Sequence, residues 1–167
     1  MTKITNQVTF KAIDIPRHGE LACQFREDTF TVSFGDAHRF HEEDGKGSER
    51  YLEALKLRIT EHPRGHVHVW LKDEIIGQLE ARPLPEDPSI GYITLIYLTK
   101  PYRAKGYGTL LLRYLESWLQ AEKCQTLRLS VTPTNTQALK FYVGHGWIDC
   151  GPCPDRPVVH IMEKVIV

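Results

Sequence analysis

The sequence predicts an α/β (α+β) fold: a mixed central sheet of about six to seven strands with helices on both faces. Three stretches carry that expectation. Residues 66–81 alternate apolar and polar side chains around Lys72-Asp73, the pattern of a half-buried hairpin. Ile90–Leu98 is β-rich and continuously apolar at its end, as in a strand covered on both faces. Gly106–Lys123 gathers Tyr107, Leu110, Leu111, Tyr114, Leu115, Trp118 and Leu119 on one helical stripe.

The remaining elements fall around these. Val8–Ile13 alternates as a strand, and Pro16–Gly35 spaces Leu21, Phe25 and Phe30 for a helix whose end is weakened by Thr29-Phe30-Thr31-Val32. Residues 35–47 are the most polar stretch and read as a loop. Ser48 is a plausible N-cap for a helix to about Glu61, with Tyr51, Leu52, Leu55 and Ile59 as its stripe. His62-Pro63-Arg64-Gly65 ends it, and strands follow at His66–Leu71 and Glu74–Ala81. Arg82–Ser89 carries three prolines and reads as a loop. Thr126–Val131 is a strand, Asn135–Val143 a short helix and Val158–Val165 a last strand. The order β-α-α-β-β-β-α-β-α-β-β suits one domain spanning residues 1–167.

Composition narrows the class. The chain has 167 residues, 41% hydrophobic and 25% charged, within the range of a globular domain and outside that of disordered, collagenous or disulfide-framework chains. Lys plus Arg and Asp plus Glu both number 21, so no basic excess points to nucleic acid. Ile93–Leu98 is far short of the ~20 apolar residues of a membrane span. The first residues carry no apolar signal core, so a cytoplasmic location is expected, with Cys23, Cys124, Cys150 and Cys153 as reduced thiols.

The chemistry concentrates in Tyr97-Leu98-Thr99-Lys100-Pro101-Tyr102-Arg103-Ala104-Lys105-Gly106-Tyr107-Gly108-Thr109-Leu110. A buried strand enters a short loop with two glycines and leaves on the best helix of the chain. The first turn of a helix has amides without intrahelical partners and the positive end of the macrodipole. Strand, glycine loop and helix together form an anion cradle, and glycine lets an anion approach its backbone closely. Arg103 and Lys105 add charge beside it. An ordinary strand-to-helix turn would use glycine as well. The segment is neither a Walker loop, because no Gly-Lys-Ser/Thr follows, nor a dinucleotide fingerprint, because Leu111 stands at the third glycine position.

Arg103-x-x-Gly106-x-Gly108 after the strand end resembles the acetyl-CoA signature of the GNAT family of N-acetyltransferases. Asn135-x-x-Ala138-x-x-Phe141-Tyr142, followed by Gly144-His145-Gly146-Trp147, resembles that family's next element. Lys72–Gly77 looks like its upstream hairpin. The resemblance covers roughly residues 67–147; residues 1–65 match only as β-α-α.

The resemblance implies an acetyl-CoA-dependent N-acetyltransferase acting on a primary amine of a small molecule or peptide, with acetyl-CoA as co-substrate and no metal. The family's fourth and fifth strands splay, and the pantetheine arm pairs with open backbone at the fourth strand's end, here Ile96, Tyr97 and Leu98. The diphosphate rests on the amides of Arg103, Ala104, Lys105, Gly106, Tyr107, Gly108 and Thr109. Asn135 bonds the arm while also suiting an N-cap. Leu98 N–H would polarise the thioester oxygen. Tyr142 occupies the position of the general acid on the leaving thiolate, worth one or two decades in rate; as a bare residue it also reads as a core aromatic. An alkyl ammonium of pKa about 10.4 is rarely free base at neutrality, a handicap of roughly 4 kcal/mol. The fourth strand departs from better-known members in having no carboxylate. Glu80 is the candidate base, directly or through water, with Tyr92, His66 and His68 as alternatives; a solvated strand-end carboxylate is the plain reading of Glu80. Asp36, Glu42, Glu43, Asp44, Glu86 and Asp87 are expected to rim the acceptor mouth and attract a cation. Monomer and homodimer both remain open.

Other motifs read more plainly. Cys150-Gly151-Pro152-Cys153 is the dithiol tetrapeptide, yet Pro152, Pro154 and Pro157 prevent the helix start that lowers such a thiol's pKa. His38-x-x-His41-Glu42-Glu43 and the group His62, His66 and His68 have ligand types without a metal motif's spacing. Tyr114 and Trp118 read as core aromatics. The rival functions are a non-catalytic acyl-CoA-binding sensor or interaction module on the same fold, and a thiol oxidoreductase.

Overall fold

The computed structural model describes residues 7–166. The leader reading rests largely on residues outside that range. A seven-stranded sheet runs in the order β1-β2-β3-β4-β5-β7-β6. The strands are β1 (Val8–Ala12), β2 (His66–Leu71), β3 (Glu74–Leu84), β4 (Asp87–Leu98), β5 (Thr126–Val131), β6 (Ile148–Pro152) and β7 (His160–Val165). The helices are α1 (Ile15–Phe34), α2 (His38–His41), α3 (Gly47–Glu61), α4 (Tyr107–Ala121) and α5 (Thr136–Gly144). All neighbouring strands are antiparallel except β4 and β5.

One face carries α4 and α5. Leu111, Leu112, Leu115, Trp118 and Leu119 of α4 pack there against Val67, Val69, Leu79, Ile93 and Leu127 of the strands. Tyr114 stacks on Phe10 with ring centroids 4.0 Å apart. The other face carries α1 and α3, joined through Ile13, Ala22 and Leu55. Asp14 caps α1 by accepting from the Arg17 amide, and Gly35 ends it in the left-handed region at φ 90°.

Several expected boundaries move. The proline-rich stretch is mostly strand: β3 runs to Leu84 and β4 starts at Asp87, leaving only Pro85-Glu86 as the turn. Pro83 is tolerated because the register slips beside it, and Pro88 precedes the segment of β4 that pairs with β5. The polar loop contains the one-turn helix α2, whose Phe40 is buried against Phe30 and Tyr51. Ser48 is not the cap of α3; Lys46 holds that position without a side-chain hydrogen bond. Ile90–Leu98 is not covered throughout, since Thr94 is exposed. Cys150 lies on strand β6, beyond its expected loop, while Cys153 is buried.

Under α1 and α3 the sheet buries a polar row. His66, His68, Gln78 and Glu80 are each no more than 2% exposed. Tyr51 of α3 donates to Glu80 Oε2 at 2.7 Å, and Gln78 Nε2 donates to the Tyr51 hydroxyl at 2.8 Å and to Glu80 Oε2 at 3.0 Å. Gln78 Oε1 can only accept, so His68 Nε2 carries the proton of their 2.8 Å bond. His68 Nδ1 and Glu80 Oε1 are buried without partners among the described residues. Burial lowers the His68 pKa from 6.5 to about 4, and lowers that of His66 in the same sense.

Below pH 6.5 the unfolded chain protonates His68 while the folded chain does not, until about pH 4. Stability therefore falls on acidification through that window, by about 3 kcal/mol from this one residue. Urea midpoints measured across it should show the decline, and His68→Gln should flatten it. A slope identical in wild type and variant would contradict the assignment.

Candidate functional site

The site is organised by the parting of two parallel strands. β4 and β5 pair only at Ile90, Gly91 and Tyr92, opposite Thr126, Leu127 and Arg128. On the other side β4 stays paired with β3 to its end, where Leu98 faces Gly77. Glu80 faces Leu95 and Ala81 faces Ile93, so Thr94 is the extra residue of a bulge. The bulge turns β4 away where β5 continues beside β7.

Strand alternation then decides which backbone groups are open. Thr99 N–H donates to Ile76 O of β3, so the groups of Leu98 and Ile96 point toward the gap and those of Tyr97 toward β3. Of the three expected residues, Ile96 and Leu98 are therefore the ones with backbone groups facing the gap. Tyr97 instead adds its side chain.

A cleft of about 460 Å³ opens along this gap. Ile96, Tyr97, Leu98, Arg103, Ala104, Gly106, Gly108, Thr109, Asn135 and Tyr142 line it, as do Phe141 and His145. Lys105 and Tyr107 do not. Lys105 is exposed, and Tyr107 leans edge-on against Tyr102 at 5.8 Å. From the opposite wall α1 contributes Thr29, Val32 and Ser33, which the sequence reading did not connect with the site.

The head of the cleft is the start of α4. Gly106, at its N-cap, has φ 91° and supplies no side-chain hydrogen bond to the first turn. The glycines serve different ends. Gly106 has open space where a Cβ would sit, so its backbone angle is what selects it. A Cβ on Gly108 would come within 3.2 Å of the Phe141 ring, so that glycine is selected by packing between α4 and α5.

Arg103 is fixed in place. Its Nε donates to Leu98 O at 2.8 Å and its Nη2 to Asp28 Oδ2 at 3.0 Å. The Tyr97 hydroxyl donates to the same Asp28 oxygen at 2.6 Å. Asp28, on α1, thereby ties the helix over the sheet to the end of β4 and the loop before α4. Nothing local in the sequence marks it, because its partners lie about 70 residues away.

α5 forms the far lip. Asn135 caps it, Oδ1 accepting from Ala138 N at 3.2 Å, which leaves its NH₂ for a ligand. Tyr142 rests edge-on against Phe141 and Trp147. Burial pushes its phenol up to about 12. His145 bonds Phe141 O through Nδ1 at 2.7 Å and Thr109 Oγ1 through Nε2 at 3.0 Å, pinning the first turn of α4 to α5. Its only sequence signal was its place between two glycines.

The four base candidates separate. None of the four lines the cleft, and Glu80, His66 and His68 are in addition buried. Burial also makes the two imidazoles weaker bases. Tyr92 stands at the last paired position before the strands part, donating to Ser130 Oγ at 3.1 Å and accepting from Arg156 Nη2 at 3.4 Å. The acidic rim is also altered. Arg50 binds both Glu42 and Asp44, and together with the Lys46 amide it lowers the Asp44 pKa to about 2. Glu86 and Asp87 sit at the β3–β4 turn, the far end of β4 from Leu98. No group of three or more potential metal ligands occurs among the described residues, and no described helix is long and apolar enough to cross a membrane.

Comparison with known proteins places this geometry. Over 87 residues the chain is 33% identical to N-alpha-acetyltransferase 60 of Xenopus tropicalis, a match covering 50% of this chain and 35% of that protein. The chain thus spans about a third of that relative. Among solved structures, PaiA N-acetyltransferase of Thermoplasma acidophilum, in complex with coenzyme A, superposes with a TM-score of 0.74 at 17% identity, covering 95% of this chain and 98% of that one. Ard1 of Thermoplasma volcanium gives 0.71 at 18% identity, with 96% and 99% covered. Arabidopsis thaliana Naa50, in complex with the bisubstrate analogue CoA-Ac-MVNAL, gives 0.65 at 17%, with 95% and 98% covered. These likenesses establish a common fold. The profile of the acetyltransferase (GNAT) family matches residues 24–147, from α1 through Trp147, and this chain belongs to that family.

Proposed function

We propose that this chain is an acetyl-CoA-dependent N-acetyltransferase that moves an acetyl group to a primary amine of a small molecule or peptide, by direct attack in a ternary complex. One observation carries the reading: β4 loses β5 after Tyr92 beside a helix N-terminus that no side chain caps, and both face one cleft. An extended, amide-bearing arm suits an open strand edge, and a diphosphate suits the first turn of a helix. Family membership, two similar proteins described as N-acetyltransferases, and neighbouring structures solved with coenzyme A or a bisubstrate analogue support it.

Bound acetyl-CoA supplies an activated thioester carbonyl. Ile96 and Leu98 pair with the arm, and Leu98 N–H donates to the carbonyl oxygen as charge develops there. Gly106, Tyr107, Gly108 and Thr109 turn their amides to the diphosphate, aided by Arg103, Ala104 and Lys105 at the loop. The free NH₂ of Asn135 bonds the arm. Arg103, held by Leu98 O and Asp28, keeps the end of β4 and the loop in register.

Tyr142 donates toward the departing sulfur. A phenol near 12 holds its proton more tightly than a thiol near 8.5, so it acts by a strengthening hydrogen bond. On the acceptor side, Tyr92 and Ser130 form the short relay nearest the split and lead the amine's proton to water. Glu80, fixed by Tyr51 and Gln78, reaches that proton only through water.

Calorimetry on the purified chain should register coenzyme A binding, and Gly106→Val with Gly108→Val should weaken it at least tenfold; no heat with wild type rejects the reading. Tyr142→Phe should lower kcat for thiol release about 10- to 100-fold with coenzyme A affinity retained. Binding without thiol release from any amine, and with Tyr142→Phe silent, would identify an acyl-CoA-binding sensor instead. Arg103→Ala should cost about 1–2 kcal/mol in urea unfolding, chiefly through the bond to Leu98 O. Asp28→Asn should cost under about 1 kcal/mol, because that ion pair is half-exposed.

A further inference from the structure

α1 and α3 cover β2 and β3 but leave the same sheet face over β5 and β7 half-exposed. On that face the register aligns one row across four strands. Arg82 of β3 lies opposite Tyr92 of β4, Tyr92 opposite Arg128 of β5, and Arg128 opposite Glu163 of β7. Side chains at directly opposed positions share a face, and neighbouring strands lie about 4.8 Å apart, so Arg82 and Arg128 flank Tyr92 at roughly 10 Å from each other. Arg156, from the segment between β6 and β7, reaches the Tyr92 hydroxyl. Three guanidiniums thus surround the residue at which the strands part, against the single carboxylate of the row.

That carboxylate does not neutralise them. Arg128 Nη2 meets Glu163 only at 3.5 Å, and Arg128 Nε is buried without a partner among the described residues. Arg82 and Arg156 are in no ion pair among those residues. In a chain of zero formal charge, this is a local positive field. None of these three arginines lines the cleft, so an acceptor that they hold comes to the split from outside it.

We infer that the acceptor is an amine carrying a carboxylate, held by Arg128 and Arg156 with Arg82 beside them. Guanidinium matches carboxylate geometry, and a hydrogen-bonded charge pair discriminates strongly against an uncharged isostere. The inference rests on the acetyl-transfer reading above and replaces the expectation of a cationic substrate drawn by an acidic rim. The carboxylate has two sources: a free acidic amino acid, or an acidic side chain beside a peptide's amino terminus.

Thiol release from acetyl-CoA is to be measured with matched pairs, aspartate against asparagine, and Glu-Ala-Ala amide against Gln-Ala-Ala amide. The acidic member of at least one pair should have a kcat/KM about tenfold or more above its isostere, and that pair identifies the source. Arg156→Gln, on an exposed residue, should bring the ratio toward one, and Arg128→Gln should do the same. Equal turnover within both pairs, or a ratio intact in both variants, overturns the inference while leaving acetyl transfer standing. Coenzyme A binding with no turnover of any acceptor overturns both.

Discussion

A parallel strand pair persists only while each strand keeps offering its backbone groups to the other, and β4 and β5 stop after three residues. The bulge at Thr94 causes the break without loosening β4, whose opposite edge stays bonded to β3 as far as Leu98. An edge of this kind inside a sheet is unstable unless something else satisfies it, since buried backbone donors and acceptors without partners are costly. Part of the demand is met within the chain, where Arg103 Nε takes Leu98 O. The remainder lines the cleft. The start of α4 at one end, Tyr142 on the far lip and Tyr92 at the apex derive their meaning from that opening.

The two faces of the sheet meet different physical demands. Beneath α4 the contacts are apolar and closely packed, which fixes the helix and with it the first-turn amides. Beneath α1 and α3 the sheet buries His68, Gln78 and Glu80, which stay folded only because Tyr51 and one another supply most of their partners. This network holds Glu80, attractive as a carboxylate near the strands, buried and out of the cleft lining. It docks the N-terminal helices, and α1 in turn delivers Asp28 to Arg103 and Tyr97.

Much of this was legible along the chain. The strand, the glycine-bearing loop and the long helix were readable because their signals are short-range: an apolar run, a backbone angle only glycine takes easily, and a stripe of helical period. Asn135 as a cap and Trp118 as a core residue were legible for the same reason. Prolines misled where register slippage and strand position made their missing donors harmless. The acidic loop misled because Arg50, which binds Glu42 and Asp44, is drawn near only by the turn into α3. Asp28, and the row of Arg82, Tyr92 and Arg128, carry no local mark, since each depends on partners at least ten residues distant.

What the sequence by itself determined is therefore the sheet's main strands, the two principal amphipathic helices, and the motif that identifies the family, all governed by periodicity and by nearest neighbours. Only the tertiary structure decided which carboxylates are buried, which arginines are already engaged, and where β4 is left open. Those outcomes depend on strand register and on contacts between distant segments, and a one-residue change of register would turn every such side chain to the opposite face.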